Sequence, residues 1–444
     1  MSDDLVSPFM GLFSRWGAVA RRPHDPDVSC WAGLLPRWGA RAHGESEIDA
    51  RGDLAVGGAA WTAEGAEAAA LGEAVERWRP GPSPCDEIVE GSFAGWRADE
   101  EAIAPGRWVL FSREQHEQPG FPFAPLSERT VCRWVCCRDA VTGRAAWAPA
   151  ALVYLDPLTP PAPLSPLWER GEQGGASGSP SPLVGEGAGV RGGLAPTIST
   201  GLSAGRPGDP VLLRGAQEVI ERDALVGAWW GRYPLEEFDP ARVWRSLPAD
   251  VGPRVLRPNL RWRFFRIDTP SSAHVTIATL SGDDHEGFCF SAGSACRSTR
   301  RESWSKSILE AVQGRHYARY LRRTRLAALL KGGEPDSFAG HALYYSLHPE
   351  RLRQTPLDSA RTADGDDPSR ETFPMLGERL GADRPILFRL MTPPGLERRW
   401  VVARVLIPGA QPLHGHHRFP FLGGPLWGDR RLAEWSGVPP HPFP

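Results

Sequence analysis

Apolar positions alternate in some short runs of the chain and recur every three to four residues in a few longer ones, and the two kinds of segment are unevenly mixed. Residues 130–137 and 145–154 are short β-rich runs separated by Asp139-Ala-Val-Thr-Gly143, which predicts a hairpin with a glycine-containing loop. Further strands are expected at 260–267, 275–280 and 399–407. Helical segments are fewer but better marked. Thr62 is placed to cap a helix reaching Trp78 and stopped by Pro80, and Asp209 followed by Pro210 predicts the cap and first position of a helix reaching Trp230. A third helix is expected from Arg301 to Leu330, ending at Lys331-Gly-Gly333. Because strands and helices do not alternate regularly, the pattern predicts a mixed α+β fold rather than a doubly wound parallel sheet.

One stretch follows neither period. Residues 157–194 hold 7 Pro and 9 Gly in 38 positions, with a weak echo between Ser165-Pro-Leu-Trp-Glu-Arg-Gly-Glu172 and Ser181-Pro-Leu-Val-Gly-Glu-Gly-Ala188. Such a composition buries too little apolar surface to offset its ordering entropy, so a disordered surface insert is expected. It divides the chain into an N-terminal part (1–156) and a C-terminal part (195–444) of one domain.

Composition then narrows the chemistry. The 444 residues carry 51 basic and 53 acidic side chains, a formal net charge of −2, and this balance points to neither nucleic acid nor a membrane surface. Only two of the basic residues are lysines, Lys306 and Lys331, and neither follows the glycines of a G-x-x-x-x-G-K-[ST] phosphate loop. The seven cysteines (Cys30, Cys85, Cys132, Cys136, Cys137, Cys289 and Cys296) are odd in number and form no C-x-x-C pair, which argues against a disulfide framework and a thiolate zinc site. The N-terminus carries Asp3 and Asp4, and no apolar run approaches the ~20 residues of a membrane span, so a cytoplasmic protein is expected.

The first expected helix contains Glu73-Ala-Val-Glu76-Arg77 and the second Glu218-Val-Ile-Glu221-Arg222, the same E-x-x-E-R string twice. Residues three apart share a helix face, so each helix can aim two carboxylates at one point. The third helix adds Glu310 and Gln313 at the same spacing, with Arg315 two residues on. Oxygen donors on three helices suit a hard cation such as Mg2+ shared with nucleotide phosphates, with arginines neutralising the remaining charge. Exposed Glu/Arg pairs at this spacing are otherwise ordinary surface contacts. The small or apolar flanks Ala69-Ala70-Leu71-Gly72 and Leu212-Leu213 instead place both strings against a core.

Together with the segment Gly201-Leu-Ser-Ala-Gly205 leading into Glu218-Val-Ile-Glu-Arg-Asp-Ala224, these strings resemble the signature of the YcaO family, in which a G-L-x-A-G turn precedes a helix bearing E-x-x-E-R-D-A. Leu71-Gly-Glu-Ala-Val-Glu-Arg77 is similar to the family's first nucleotide-binding helix, and Glu310-Ala-Val-Gln-Gly-Arg315 to its later E-x-x-Q-x-R helix. Pro440-His-Pro-Phe-Pro444 looks like the P-x-P-x-P tail of the azoline-forming branch. The resemblance implies a YcaO-type fold and an ATP- and Mg2+-dependent cyclodehydratase acting on Cys, Ser or Thr of a ribosomal precursor peptide. It implies that Glu73, Glu76, Glu218, Glu221 and Glu310 hold Mg2+ and ATP, and that Arg77, Arg222, Gln313 and Arg315 help bind the nucleotide. The terminal carboxylate of Pro444 is the implied base. A separate leader-peptide-binding protein of the ThiF-like kind, a flavin dehydrogenase where azoles are made, and a homodimer are the implied partners.

Family members usually carry polar residues where this chain has Ala69, Thr200, Arg206 and Pro210, and a lysine where it has Gly57-Gly-Ala59. Two alternatives therefore stand beside the cyclodehydratase: a weakened paralogue acting as a peptide-binding or scaffolding subunit, and a sister amide-activating activity forming thioamides or amidines. Gly201-Leu-Ser203-Ala-Gly205 also fits the G-x-S-x-G pattern of a hydrolase elbow, but Arg206-Pro-Gly-Asp-Pro210 prevents a helix from starting after the serine. The arginines from Arg315 to Arg325 read as a solvated or phosphate-neutralising helix side. His414-Gly-His416-His417 lacks partners at a defined spacing and reads as a polar loop rather than a metal cluster.

Overall fold

A computed structural model describes residues 3–6, 13, 15–35, 54–78, 81–82, 86–96, 101–155, 193–284, 286–323, 333–363, 365 and 367–444. The insert expected at 157–194 lies outside these residues except for Gly193 and Leu194, as do Pro80 and the expected helix end at 324–332.

Three sheets form the frame. The first is an antiparallel meander of β1 (Arg15–Ala18), β2 (Ser29–Leu35) and β3 (Leu54–Ala60). The second contains β8 (Leu235–Phe238), β9 (Arg261–Ile267), β10 (Val275–Asp284), β11 (Gly287–Cys296) and β12 (Arg361–Ala363) in the order β11-β10-β9-β8-β12. The third runs β4-β5-β13-β14-β7, from β4 (Ile88–Gly91), β5 (Cys132–Asp139), β13 (Leu387–Leu390), β14 (Val401–Leu406) and β7 (Leu202–Gly205), with β6 (Ala145–Pro149) paired to β5. The hairpin expected around Asp139–Gly143 is therefore present. Its second arm is shorter than expected, because residues 150–153 turn into one turn of helix. Helices and strands mix as the irregular pattern implied, and the fold is α+β.

Three helices rest on these sheets. In α1 (Ala63–Trp78), Ala66, Ala70 and Ala74 recur every four residues as a buried stripe against β3, and the Thr62 hydroxyl accepts the Gly65 N–H at 3.1 Å as the cap. α2 (Val211–Trp229) packs on β14 and β11. Its cap residue is Pro210 rather than the expected Asp209, whose carboxylate turns back to accept the Arg206 N–H at 2.8 Å and close the preceding turn. α3 (Arg300–Arg322) lies across β11 and β10, with Thr299 accepting the Glu302 N–H at 3.2 Å. Gly201–Gly205, expected as a turn, contains strand β7, antiparallel to β14.

Small residues set how closely helix and sheet approach. A Cβ on Gly58 of β3 would stand 2.3 Å from the Ala70 nitrogen, and one on Gly293 of β11 would stand 2.3 Å from the Ser307 carbonyl oxygen. Without side chains at these two points, α1 and α3 lie directly on strand backbone, within reach of strand N–H groups.

Candidate functional site

That close approach brings the helix glutamates onto the strands. Just past its contact with Gly58, α1 presents Glu73, whose Oε2 accepts the Gly57 N–H of β3 at 2.7 Å. One turn on, Glu76 Oε1 accepts the Ala204 N–H of β7 at 2.6 Å. On α2, Glu218 Oε2 accepts the Gly201 N–H at 3.2 Å; Gly201 has φ +84 and a Cβ there would meet the Val405 carbonyl at 2.1 Å, so only glycine presents its N–H this way. Glu221 is buried and accepts the Ser294 hydroxyl at 2.6 Å and the Cys296 N–H at 3.1 Å, both from β11. From α3, Glu310 Oε2 accepts the Ser294 N–H at 3.3 Å. Three helices and three sheets thus meet at five carboxylates, each held by at least one backbone amide of a strand or of the turn leading into one.

The carboxylates also feel one another. Burial first, then the charges of Glu218 and Glu73, pushes the Glu76 carboxyl from 4.5 up to about 8. Burial raises Glu218 to about 6 and raises Glu221, with Glu221 and Glu310 respectively adding repulsion. Cations border the cluster without cancelling it. Arg77 pairs with Glu73 at 3.0 Å and Lys306 with Glu310 at 3.1 Å, Arg222 faces both Glu218 and Glu221, and Arg297 and Arg404 lie near Glu221 and Glu218. Burial is the main cause of the shift in Glu76, Glu218 and Glu221, so these carboxylates are costly to keep ionised in the protein as it stands. A hard, oxygen-seeking divalent cation would offset that cost, so the donor set fits Mg2+.

Of the residues singled out from sequence, Glu73, Glu76, Arg77, Glu218, Glu221, Arg222 and Glu310 converge, and Gln313 joins them, its amide nitrogen 3.2 Å from where a Cβ on Gly57 would stand. Arg315 does not. Five residues beyond Glu310 on α3 it points about 140° away around the helix. It is buried there, donating to the carbonyls of Gly282 and Cys289 in the β10–β11 hairpin at 3.4 and 3.3 Å. Asp223, in the same string as Glu218, also faces away and accepts the Gln411 N–H at 2.7 Å. Pro444 is exposed, beyond Phe443, whose buried ring stands edge-on to Trp229 at the end of α2. Arg206 is exposed, its guanidinium 4.1 Å over the Trp400 ring and donating to the Arg399 carbonyl at 3.3 Å. Sequence reasoning missed Lys306, Arg297 and Arg404; the i,i+4 spacing of Lys306 to Glu310 was the one available signal.

Against known proteins, residues 57–411 match the family model described as YcaO cyclodehydratase, ATP- and Mg2+-binding. Among solved structures, the chain is similar at 17% identity and TM-score 0.64 to one described as a heterocyclase in complex with substrate and cofactor, over 99% of this chain and 56% of that one. The chain thus spans little more than half the length of that protein. It is also similar to YcaO from Methanopyrus kandleri bound with AMPPCP and Mg2+, at 17% identity and TM-score 0.51, covering 89% and 86% of the two chains. A third likeness is to the E. coli microcin synthetase McbBCD complex, at 12% identity and TM-score 0.57, covering 97% and 96%. At these identities the structures share a fold with the chain. A search of the curated proteins finds no match.

Proposed function

Since the chain belongs to the YcaO family, whose cyclodehydratase model matches it from residue 57 to 411, we propose that it uses ATP and Mg2+ to activate backbone amides of a ribosomal precursor peptide and close thiazoline or oxazoline rings. The observation that carries this reading is the set of five carboxylates, gathered from three helices onto neighbouring backbone amides. In the reaction, a Cys, Ser or Thr side chain adds to the preceding carbonyl carbon and loses its proton. The former amide oxygen takes the γ-phosphoryl group of ATP, releasing ADP, and then leaves as phosphate while the amide nitrogen gives up its proton, which forms the C=N bond of the ring. An amide oxygen is a poor leaving group and its phosphate ester a good one, which is why a nucleotide is consumed. Mg2+ held by the five carboxylates would supply charge stabilisation to the phosphoryl group as it transfers.

The chain's own residues do the rest. Glu73, Glu76, Glu218, Glu221 and Glu310 would hold the cation through carboxylates positioned by backbone amides, and Arg77, Arg222 and Gln313 would meet the nucleotide. Lys306 and Arg297 add positive charge where phosphate oxygens gather. Pro444 is proposed as the base, carried on the proline-rich tail. The peptide's leader is recognised by a second, ThiF-like protein; oxidation to azoles falls to a flavin dehydrogenase, and the assembly is built on a homodimer. Arg206, the residue that most favours a decayed site in sequence, is engaged with Trp400 and Arg399 and does not fill the carboxylate cluster. The test is incubation of the chain and its leader-binding partner with precursor peptide, ATP and Mg2+. Loss of one water per ring, seen by mass spectrometry and matched by ADP release, is expected; a peptide unchanged in mass overturns the reading.

A further inference from the structure

Four histidines from distant parts of the sequence share one buried volume beneath the C-terminal tail. His341 comes from α4 (Phe338–Leu347), His414 and His417 from the segment after β14, and His441 from the tail itself; all four are at most 3% exposed. The ring of His341 stacks on that of His441 with centroids 3.8 Å apart, and Trp435 closes over His414 and His417 at 5.3 and 4.9 Å.

Their hydrogen bonds fix which nitrogens carry protons. His341 Nδ1 faces the His441 carbonyl at 2.7 Å, so it must donate, leaving Nε2 with a free lone pair. His417 bonds to the Val438 backbone while its Nδ1 has no partner. Neither ring nitrogen of His414 has a partner. Buried polar atoms without partners are costly, and three neighbouring rings sharing the fault call for a common explanation. Burial, reinforced by the neighbouring histidines, keeps the rings neutral, the form in which imidazole ligates metals.

We propose that His341, His414 and His417 bind a borderline divalent transition-metal ion, Zn2+ in the first instance, which ties α4 to the 409–418 segment under the C-terminal tail. One nitrogen from each ring lies within 4.8 Å of the other two. Tetrahedral zinc with Zn–N near 2.0–2.1 Å needs nitrogens about 3.3 Å apart, so each ring closes in by about 1 Å. Water takes the fourth position. The His441 carbonyl serves as the outer partner that orients a ligating imidazole, as carboxylates and carbonyls do in known zinc sites. This site is chemically distinct from the glutamate cluster, whose oxygen donors prefer a harder ion.

The ion would act on the tail. Three successive tail carbonyls are held: Pro439 by the Trp229 indole at 2.7 Å, Pro440 by the Tyr345 hydroxyl at 2.6 Å and His441 by His341. The His441 ring in turn reaches the His414 carbonyl at 2.8 Å. Two of the four partners in this lacing are proposed ligands, and Trp229 belongs to the helix that carries Glu218 and Glu221. Metal binding therefore stiffens the lacing between the tail and the nucleotide-site helix.

The test is metal analysis of the full-length chain, with any affinity tag removed, after dialysis against zinc-containing and then zinc-free buffer. One Zn2+ per chain is expected, with the visible absorption of a tetrahedral site when Co2+ replaces it. His417→Ala and His341→Gln should each lose the ion, while the Glu218→Gln/Glu221→Gln double variant should keep it. Stripping the ion with a chelator should lower the thermal midpoint of the wild type and of that double variant alike. Wild-type protein that retains no zinc overturns the proposal irrespective of any variant's folding, as does zinc that survives His417→Ala in full.

Discussion

Replacing Glu76 with glutamine isolates the charge of one carboxylate from its shape. Oε1 of Glu76 accepts the Ala204 N–H, and the amide oxygen of glutamine accepts equally well, so Glu76→Gln preserves the contact between α1 and β7. What changes is ionisation. In the folded protein the carboxyl is pushed from 4.5 to about 8 by burial and by the charges of Glu218 and Glu73. In the unfolded chain it titrates near 4.5. Between those values the folded state holds a proton that the unfolded state has released, so stability falls as pH rises through this window and levels off above it. Each pH unit of separation is worth about 1.4 kcal/mol, and the side chain's partial exposure trims the whole effect to roughly 2–4 kcal/mol. Glutamine is neutral throughout and escapes the penalty. Urea unfolding in divalent-free buffer should show no difference between wild type and Glu76→Gln at pH 4.5, and a gain of roughly 2–4 kcal/mol for the variant at pH 8.5. A variant no more stable than wild type at pH 8.5, or equally stabilised at both pH values, would refute the claim that burial and neighbouring carboxylates hold Glu76 protonated well above the ordinary range.

Two further substitutions separate the site from its surroundings. Arg206→Ala should leave Mg2+-ATP affinity within about twofold of wild type, because the guanidinium sits on Trp400; a tenfold change, about 1.4 kcal/mol, would place Arg206 in the site after all. Arg315→Met should lower unfolding stability by roughly 2–4 kcal/mol by leaving the Gly282 and Cys289 carbonyls without their buried donor, with nucleotide affinity of the folded fraction unchanged in calorimetry.

The parts of the molecule legible in sequence were those governed by local rules. α1 and α2 announce themselves through the Thr62 cap, Pro210 and the repeated E-x-x-E-R string, and the Asp139–Gly143 hairpin through its turn residues. β11 went unnoticed because Gly-Phe-Cys-Phe-Ser-Ala-Gly-Ser-Ala-Cys has neither alternation nor β-branched residues. It is buried from Cys289 onward under α3 and α4, and small residues are what such close helix packing requires. β3 is glycine- and alanine-rich for the same reason. Arg315, five residues beyond Glu310, falls about 140° around the helix by spacing alone, and it entered the expected site through the E-x-x-Q-x-R resemblance. The reading of His414, His416 and His417 as a polar loop could not weigh His341, which lies 73 positions before His414 and meets His414 and His417 only in the fold.

The central claim is that these five glutamates form a Mg2+-nucleotide site, and calorimetric titration of Mg2+-ATP into the full-length chain and its Glu218→Gln/Glu221→Gln variant tests it most directly. Saturable binding by the wild type, weakened at least about a hundredfold (2.7 kcal/mol) in a variant that retains its circular dichroism spectrum, is the predicted result. A wild-type chain that binds no Mg2+-ATP, or a folded variant that binds it as tightly, would contradict the account.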